Sequence, residues 1–164
     1  MAGHGVEIER KYLLDGAPTE AELRAFGAEP IEIEQVYLAG REDAPVRRIR
    51  RSRRGGTERY HYTEKRAIGG IVRGEREREI DAEEYQRLSA EADPARRPIR
   101  KTRHVFPYDG RTMELDVFEV PPEVVLLEIE LDSADDVPRL PPGLRVLREV
   151  SEEDTYQNVT LALR

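Results

Sequence analysis

Glu7, Glu9 and Lys11 stand at alternate positions of the stretch VEIERKYLL. In an extended chain successive side chains point to opposite sides, so these three share one face. Paired carboxylates suit a hard divalent cation, and an ammonium beside them suits an anion. The pattern recurs. VRGEREREI aligns Arg73, Glu75, Glu77 and Glu79, MELDVF pairs Glu114 with Asp116 opposite Leu115 and Val117, and LLEIEL pairs Glu128 with Glu130 opposite Leu127, Ile129 and Leu131. RRIRR brings Arg48 and Arg50 together with Ile49 on the other side, YHYTEK aligns Thr63 with Lys65, and RKTRH aligns Lys101 with Arg103.

The plain alternative is the solvated face of an antiparallel sheet. Two features tell against it. These faces consist almost purely of long charged groups, without the Ser, Thr and Gln that solvated faces mix in. Acids and bases also segregate by strand: acids on the first, fifth, seventh and eighth, bases mainly on the third, fourth and sixth. Eight antiparallel strands close into a barrel with room for one small ligand. With the charged faces inward, the apolar faces lie outside, under the helices. Clustered carboxylates then need a cation, for which oxygen ligands select Mg²⁺ or Mn²⁺. The cations opposite need an anion of high charge density, and phosphate fits. A short phosphate chain between a basic wall and a carboxylate-bound metal satisfies both.

The elements that would carry these residues are legible. Thr19 and Glu22 form a capping-box pattern for a short helix closed by Gly27, with Leu23 and Phe26 on its apolar side. IEIEQVYLA is a second strand; VRRIRRSR and ERYHYTEKRA form a hairpin around Gly55-Gly56-Thr57. Gly69-Gly70 leads to the fifth strand, and Asp81 caps a helix with Tyr85, Leu88 and Ala92 on one side. Three strands follow the loop at Pro94 and Pro98: IRKTRHVF, TMELDVF and EVVLLEIEL. Ser133 with Asp136 predicts a short helix limited by Pro138, and SEEDTYQNVTLALR predicts a helical C-terminus. The expected fold is mainly β, an eight-stranded antiparallel β-barrel tunnel with a charged lumen and a few flanking helices, in one domain over residues 1–164.

Composition sets the frame. Of 164 residues 37% are charged and 38% apolar, and the net charge is −7, which speaks against a nucleic-acid coat protein. The apolar residues recur in short patterned runs rather than the scattered way of a disordered chain. Absence of cysteine excludes disulfides and thiolate metal sites and suits a reducing cytoplasm. MAGHG has no apolar core and the longest apolar run is VVLL, so neither secretion nor a membrane span is expected. His4, His61 and His104 are expected to be structural or exposed.

These residues together are recognisable. Glu7-x-Glu9-x-Lys11 resembles the ExExK signature of the CYTH superfamily, the triphosphate tunnel metalloenzymes. In order follow the R-x-R of Arg48 and Arg50, the T-x-K of Thr63 and Lys65, the R-x-E-x-E run from Arg73, IRKTRH, ELDVF, LEIEL and a terminal EVSEEDTYQNVTLAL, covering about residues 5 to 164. The resemblance implies a tunnel that binds a triphosphate with Mg²⁺ or Mn²⁺. It implies Glu7, Glu9, Glu128 and Glu130 as metal ligands with Asp116 as an additional one. Lys11, Arg48, Arg50, Lys65, Arg73, Lys101 and Arg103 would grip phosphate. Glu75 and Glu77 would hold a second metal or position water, and Lys11 would stabilise the leaving group or the activated water.

Within that superfamily the compact length is similar to small prokaryotic inorganic tripolyphosphatases, whose terminal-phosphate hydrolysis extends less well to nucleoside triphosphates. Alternatives are a thiamine triphosphatase and a class IV adenylyl cyclase; the cyclase branch's His-Phe pair ahead of ExExK is missing, with His4-Gly5 at the wrong spacing. Ser151 stands where the family usually has threonine. A different class is a non-catalytic module that binds polyphosphate or nucleic acid, suggested by an outward stripe of Arg47, Arg51, Arg53, Arg76 and Arg78. Its weakness is that a polyanion binder has no use for acids beside its cations. Expected partners are thus a triphosphate-bearing small molecule and, across an exposed sheet face, a second copy in a homodimer.

Overall fold

The computed structural model describes residues 2–164, with side chains described from Gly5 onward, so the His4 side chain lies outside the described residues. In chain order the elements are β1 (Ala2–Leu14), α1 (Glu20–Ala25), β2 (Glu29–Tyr37), β3 (Val46–Arg54), β4 (Thr57–Gly69), β5 (Val72–Ile80), α2 (Ala82–Ser89), β6 (Ile99–Tyr108), β7 (Arg111–Val120), β8 (Val125–Glu130), β9 (Val146–Glu149), a 3₁₀ turn at Asp154–Tyr156 and α3 (Asn158–Leu161). Strands pair antiparallel in the order β5-β4-β3-β2-β6-β7-β8-β1, and a further β5–β1 pairing closes the ring into an eight-stranded barrel. Tyr12 pairs with Leu127 of β8 on one edge and with Glu149 of β9 on the other, so β9 extends the wall beside the end of β1.

Local chemistry sets the corners. Gly55 has φ 57 in the β3–β4 hairpin, and Asp109 and Gly110 have φ 51 and 72 between β6 and β7. Positive φ at both central residues of a two-residue loop is the geometry that matches strand twist, and Asp-Gly supplies it. The Thr19–Glu22 capping box forms as expected, and Asp81 accepts from the Glu84 amide at 2.8 Å at the start of α2.

Apolar clusters cover parts of the barrel's outer face and one of its ends. Leu115, Leu127, Ile129, Met113 and Phe106 form an outer core against which Phe26 at the C-terminal end of α1, Leu140 and Leu144 pack, and Phe26 stacks on Phe106 with ring centroids 4.7 Å apart. Ile49 and Ile80 meet Tyr85 and Leu88 of α2 in a second outer cluster, while Ala92, expected with them, is exposed. A third cluster lies where the C-terminal segment meets the barrel: Leu161, Ala162 and Val150 pack on Tyr37, Ile99, Phe118 and Leu126. No helix among the described residues is long and apolar enough to cross a membrane.

Two expected elements differ. The stretch from Ser133 to Pro138 forms no helix, and the run to Leu144 stays irregular over the outer core; Pro138, Pro141 and Pro142 remove the amide donors a helix needs. The C-terminal segment is not one helix but a 3₁₀ turn and a single α-turn, broken where Gln157 adopts an extended φ −72, ψ 139. The short β9 ahead of it carried no strand signal, since it is four residues long.

Candidate active site

Because side chains alternate, the charged faces of seven strands converge on one cavity of about 620 Å³, β7 contributing Glu114. Glu7, Glu9 and Lys11 reach it from β1, Arg48 and Arg50 from β3, Lys65 from β4, Arg73, Glu75 and Glu77 from β5, Lys101 and Arg103 from β6, and Glu128 and Glu130 from β8. Asp154, Gln157, Asn158, Val159 and Thr160 line it from the C-terminal segment. Neither His61 nor His104 lines it.

On the cationic side, Lys101 Nζ lies 2.7 Å from Asp116 Oδ2, and Arg103 Nε donates to Asp116 Oδ1 at 2.8 Å. Arg103 also donates to Glu114 at 2.7 Å and to Glu128 at 3.4 Å. Arg50 Nε donates to Gln35 Oε1 at 2.8 Å. Gln35 Nε2 in turn donates to Asn158 Oδ1 at 3.3 Å, and the same oxygen accepts from Lys101 Nζ at 3.0 Å. Burial pushes Lys101 down, Asp116 pulls it back and Arg103 pushes it down again, leaving it at about 8. Burial and then the Arg48 and Arg103 charges take Arg50 to about 10. Arg48 is buried, and its Nε has no partner among the described residues. A buried, unpartnered guanidinium N–H is costly unless an acceptor enters the cavity.

Asp116, expected as an additional metal ligand, lies deeper than the other acids. It shares a strand face with Glu114, yet it is fully buried and absent from the cavity wall, with both oxygens engaged by Lys101 and Arg103. Those longer side chains cover it, and Glu114 is the β7 acid that lines the cavity.

The acidic side is less complete. Lys65 Nζ lies 3.1 Å from Glu7, Lys11 Nζ lies 3.4 Å from Glu128, and Thr63 Oγ1 donates to Glu77 at 3.0 Å. Lys11 Nζ also donates to the Tyr156 carbonyl at 3.3 Å. Burial pushes Glu7 up, but the Lys65 ammonium and a hydrogen bond with Glu75 outweigh it, and Glu7 falls to about 2. Glu75 rises to about 7 through burial, that hydrogen bond and the Glu7 charge. Glu9 pairs in register with Glu130 and has no ion pair with a described residue; burial and the Glu128 and Glu7 charges push it up to about 8. A hard cation would relieve that repulsion, so the donor chemistry fits Mg²⁺ or Mn²⁺. Among the described residues no three acidic or histidine side chains form a ready-made cage. Mg²⁺ suits such a site, since it binds through one or two carboxylates and keeps waters or phosphate oxygens in its other positions.

Sequence reading missed Gln35 and Asn158. The face of β2 that carries Gln35 also carries Ile31, Ile33 and Tyr37, so no charge marked it. The expected outward arginine stripe is largely neutralised: Arg47 pairs with Glu91, Arg51 with Glu34, Arg53 with Glu58 and Arg78 with Glu84.

The comparisons with known proteins agree with this architecture. Residues 5–156 match the CYTH domain family. An inorganic triphosphatase from Nitrosomonas europaea is 35% identical over 160 residues, 96% of this chain and 97% of that one. The crystal structure of the inorganic triphosphatase NE1496 aligns with a TM-score of 0.62 at 30% identity, covering 96% of this chain and 98% of that one. The PH1819 protein from Pyrococcus horikoshii shares the fold, with a TM-score of 0.59 at 22% identity over 81% of this chain and 79% of that one. A closed eight-stranded barrel, its charged interior and the family match over nearly the whole chain agree: the chain belongs to the CYTH domain family.

Proposed function

We propose that the protein hydrolyses the terminal phosphate of inorganic tripolyphosphate, with Mg²⁺ or Mn²⁺ as cofactor. The observation that carries this reading is a single cavity in which a cationic wall with an unpartnered Arg48 Nε faces a cluster of under-neutralised carboxylates around Glu9. The activity named for the relative that is 35% identical points the same way. Tyr37 is the one aromatic residue among those lining the cavity, and it is buried against the C-terminal cluster. A base or thiamine ring therefore finds no stacking platform among the lining residues, which favours the inorganic chain.

In this reading Arg48, Arg50, Lys101 and Arg103 bind the phosphate oxygens, and their burial strengthens each charge-assisted bond. Lys65 and Arg73 extend that grip. Glu7, Glu9, Glu128 and Glu130 would hold the divalent cation, which would supply neutralisation of phosphate charge and a more acidic water. Glu75, at about 7, is matched to accept the proton of the attacking water. Glu77, held by Thr63, helps orient that water. As the terminal P–O bond breaks, the bridging oxygen leaves on the pyrophosphate product, and Lys11 balances the charge that develops there.

The test is phosphate release from tripolyphosphate, ATP and thiamine triphosphate in Mg²⁺, Mn²⁺ or EDTA. Metal-dependent turnover fastest on tripolyphosphate is expected. Binding of phosphate chains without turnover of any substrate in either metal would replace the hydrolase with a binding module, and faster turnover of an organic triphosphate would overturn the substrate assignment.

A further inference from the structure

The cationic wall repels itself. Lys101 and Arg103 are buried and Arg50 is half-buried on the same cavity wall, close enough for Arg103 to depress both of the others. Unsupported, a flexible lysine in that position turns away or gives up its proton. Asp116 is fully buried between two of these cations, at 2.7 Å from Lys101 and 2.8 Å from Arg103. From Lys101 the contacts continue to Asn158 Oδ1, then to Gln35 and to Arg50. Neither Gln35 nor Asp116 lines the cavity, so these two support the surface that a ligand meets from behind, while Asn158, which joins them through Lys101, is itself part of that surface.

We propose that Asp116 is a positioning residue of the phosphate-binding wall and not a metal ligand: it holds Lys101 and Arg103 against their repulsion, and Asn158 and Gln35 carry the same support to Arg50. The proposal rests on the reading of that wall as the phosphate site. The two roles for Asp116 part when metal is removed. A positioning carboxylate matters for phosphate binding without metal, because its loss releases the cations. Loss of a ligand carboxylate without metal removes one negative charge from the site and leaves polyanion binding unchanged or tighter.

The experiment is calorimetric titration of tripolyphosphate in EDTA at neutral pH into wild type, Asp116→Asn, Lys101→Met and the double variant. The expected result is that Asp116→Asn weakens binding on the order of tenfold, while the same change in the Lys101→Met background costs about threefold or less, because contacting residues are coupled. That non-additivity is a readout that general loosening of the barrel does not produce. Wild type that binds no tripolyphosphate would remove the phosphate-wall reading itself. Wild type that binds, with Asp116→Asn equal or tighter or with losses that simply multiply, would overturn the proposal alone. Should Asp116→Asn not fold, the double variant removes one buried charge of each sign and is read against Lys101→Met. A further loss of about threefold or less, from the release of Arg103, supports the proposal, and equal or tighter binding, or a further tenfold loss, overturns it.

Discussion

The two walls of the cavity differ in how far the protein completes them. On the cationic wall, Asp116 and Gln35 from behind and Asn158 at its surface fix Lys101, Arg103 and Arg50 with contacts of 2.7 to 3.3 Å. On the acidic wall, Lys65 and Lys11 answer Glu7 and Glu128, whereas Glu9 meets further carboxylates and Glu75 must share with Glu7. The difference teaches which component each wall awaits. In the proposed reading the cationic wall is the phosphate receptor, organised by the chain's own side chains, and the acidic wall is the one short of a cation. Preorganised dipoles and charges on one side cost no rearrangement when the ligand arrives. In the same reading the other side would tie occupancy to a hard metal.

The sharpest way to break the contrast is to remove the acid that lacks a partner. Glu9→Gln keeps the shape and discards an oxygen proposed to bind metal, so turnover of tripolyphosphate in Mg²⁺ should fall on the order of a thousandfold, since metal charge stabilisation is worth several kcal/mol. Steady-state phosphate release checks it, and near-normal turnover would remove Glu9 from the metal site. A smaller effect is expected on the cationic wall from Arg48→Lys, which keeps the charge but loses the planar fork and the orphan Nε. KM for tripolyphosphate should rise about tenfold with kcat less affected, because a bidentate donor set is replaced by a point charge. An unchanged KM would mean that Arg48 does not contact the chain.

The smallest effect concerns stability. The folded pKa of Glu9, about 8, lies above its ordinary value of 4.5. Between those values the folded state holds more protons than the unfolded one, so this group's contribution is present below the lower value and is lost as pH rises through about 8. Glutamine does not titrate. Glu9→Gln should therefore melt with wild type in acid yet roughly 5 °C higher near pH 8.5, in EDTA. Calorimetric melting at the two pH values reads this, and a constant difference across pH would contradict it.

Much of this was legible because two-residue periodicity is a strong signal. Glu7, Glu9 and Lys11 announced both a strand and the side that faces inward. Burial of Leu115, Leu127 and Ile129 on the opposite side followed from the same pattern. Depth within a face was not legible. Asp116 alternates with the lumen residues, but that it lies behind Lys101 and Arg103 depends on the reach of side chains from a neighbouring strand. Gln35 sits on a strand whose inward face is otherwise Ile31, Ile33 and Tyr37, where nothing distinguished a positioning amide from a core residue. Asn158 approaches from a terminus that folds in single turns against the barrel, and such turns are specified by tertiary packing more than by local propensity.

The contrast between the walls is tested most directly by titrating tripolyphosphate into wild type and Glu9→Gln, first in EDTA and then in Mg²⁺. A phosphate wall that the protein completes and a metal wall that it does not predict equal or tighter binding by Glu9→Gln in EDTA, with Mg²⁺ strengthening binding in wild type alone. Weaker binding by Glu9→Gln in EDTA, or equal strengthening of both by Mg²⁺, would contradict that division of the site.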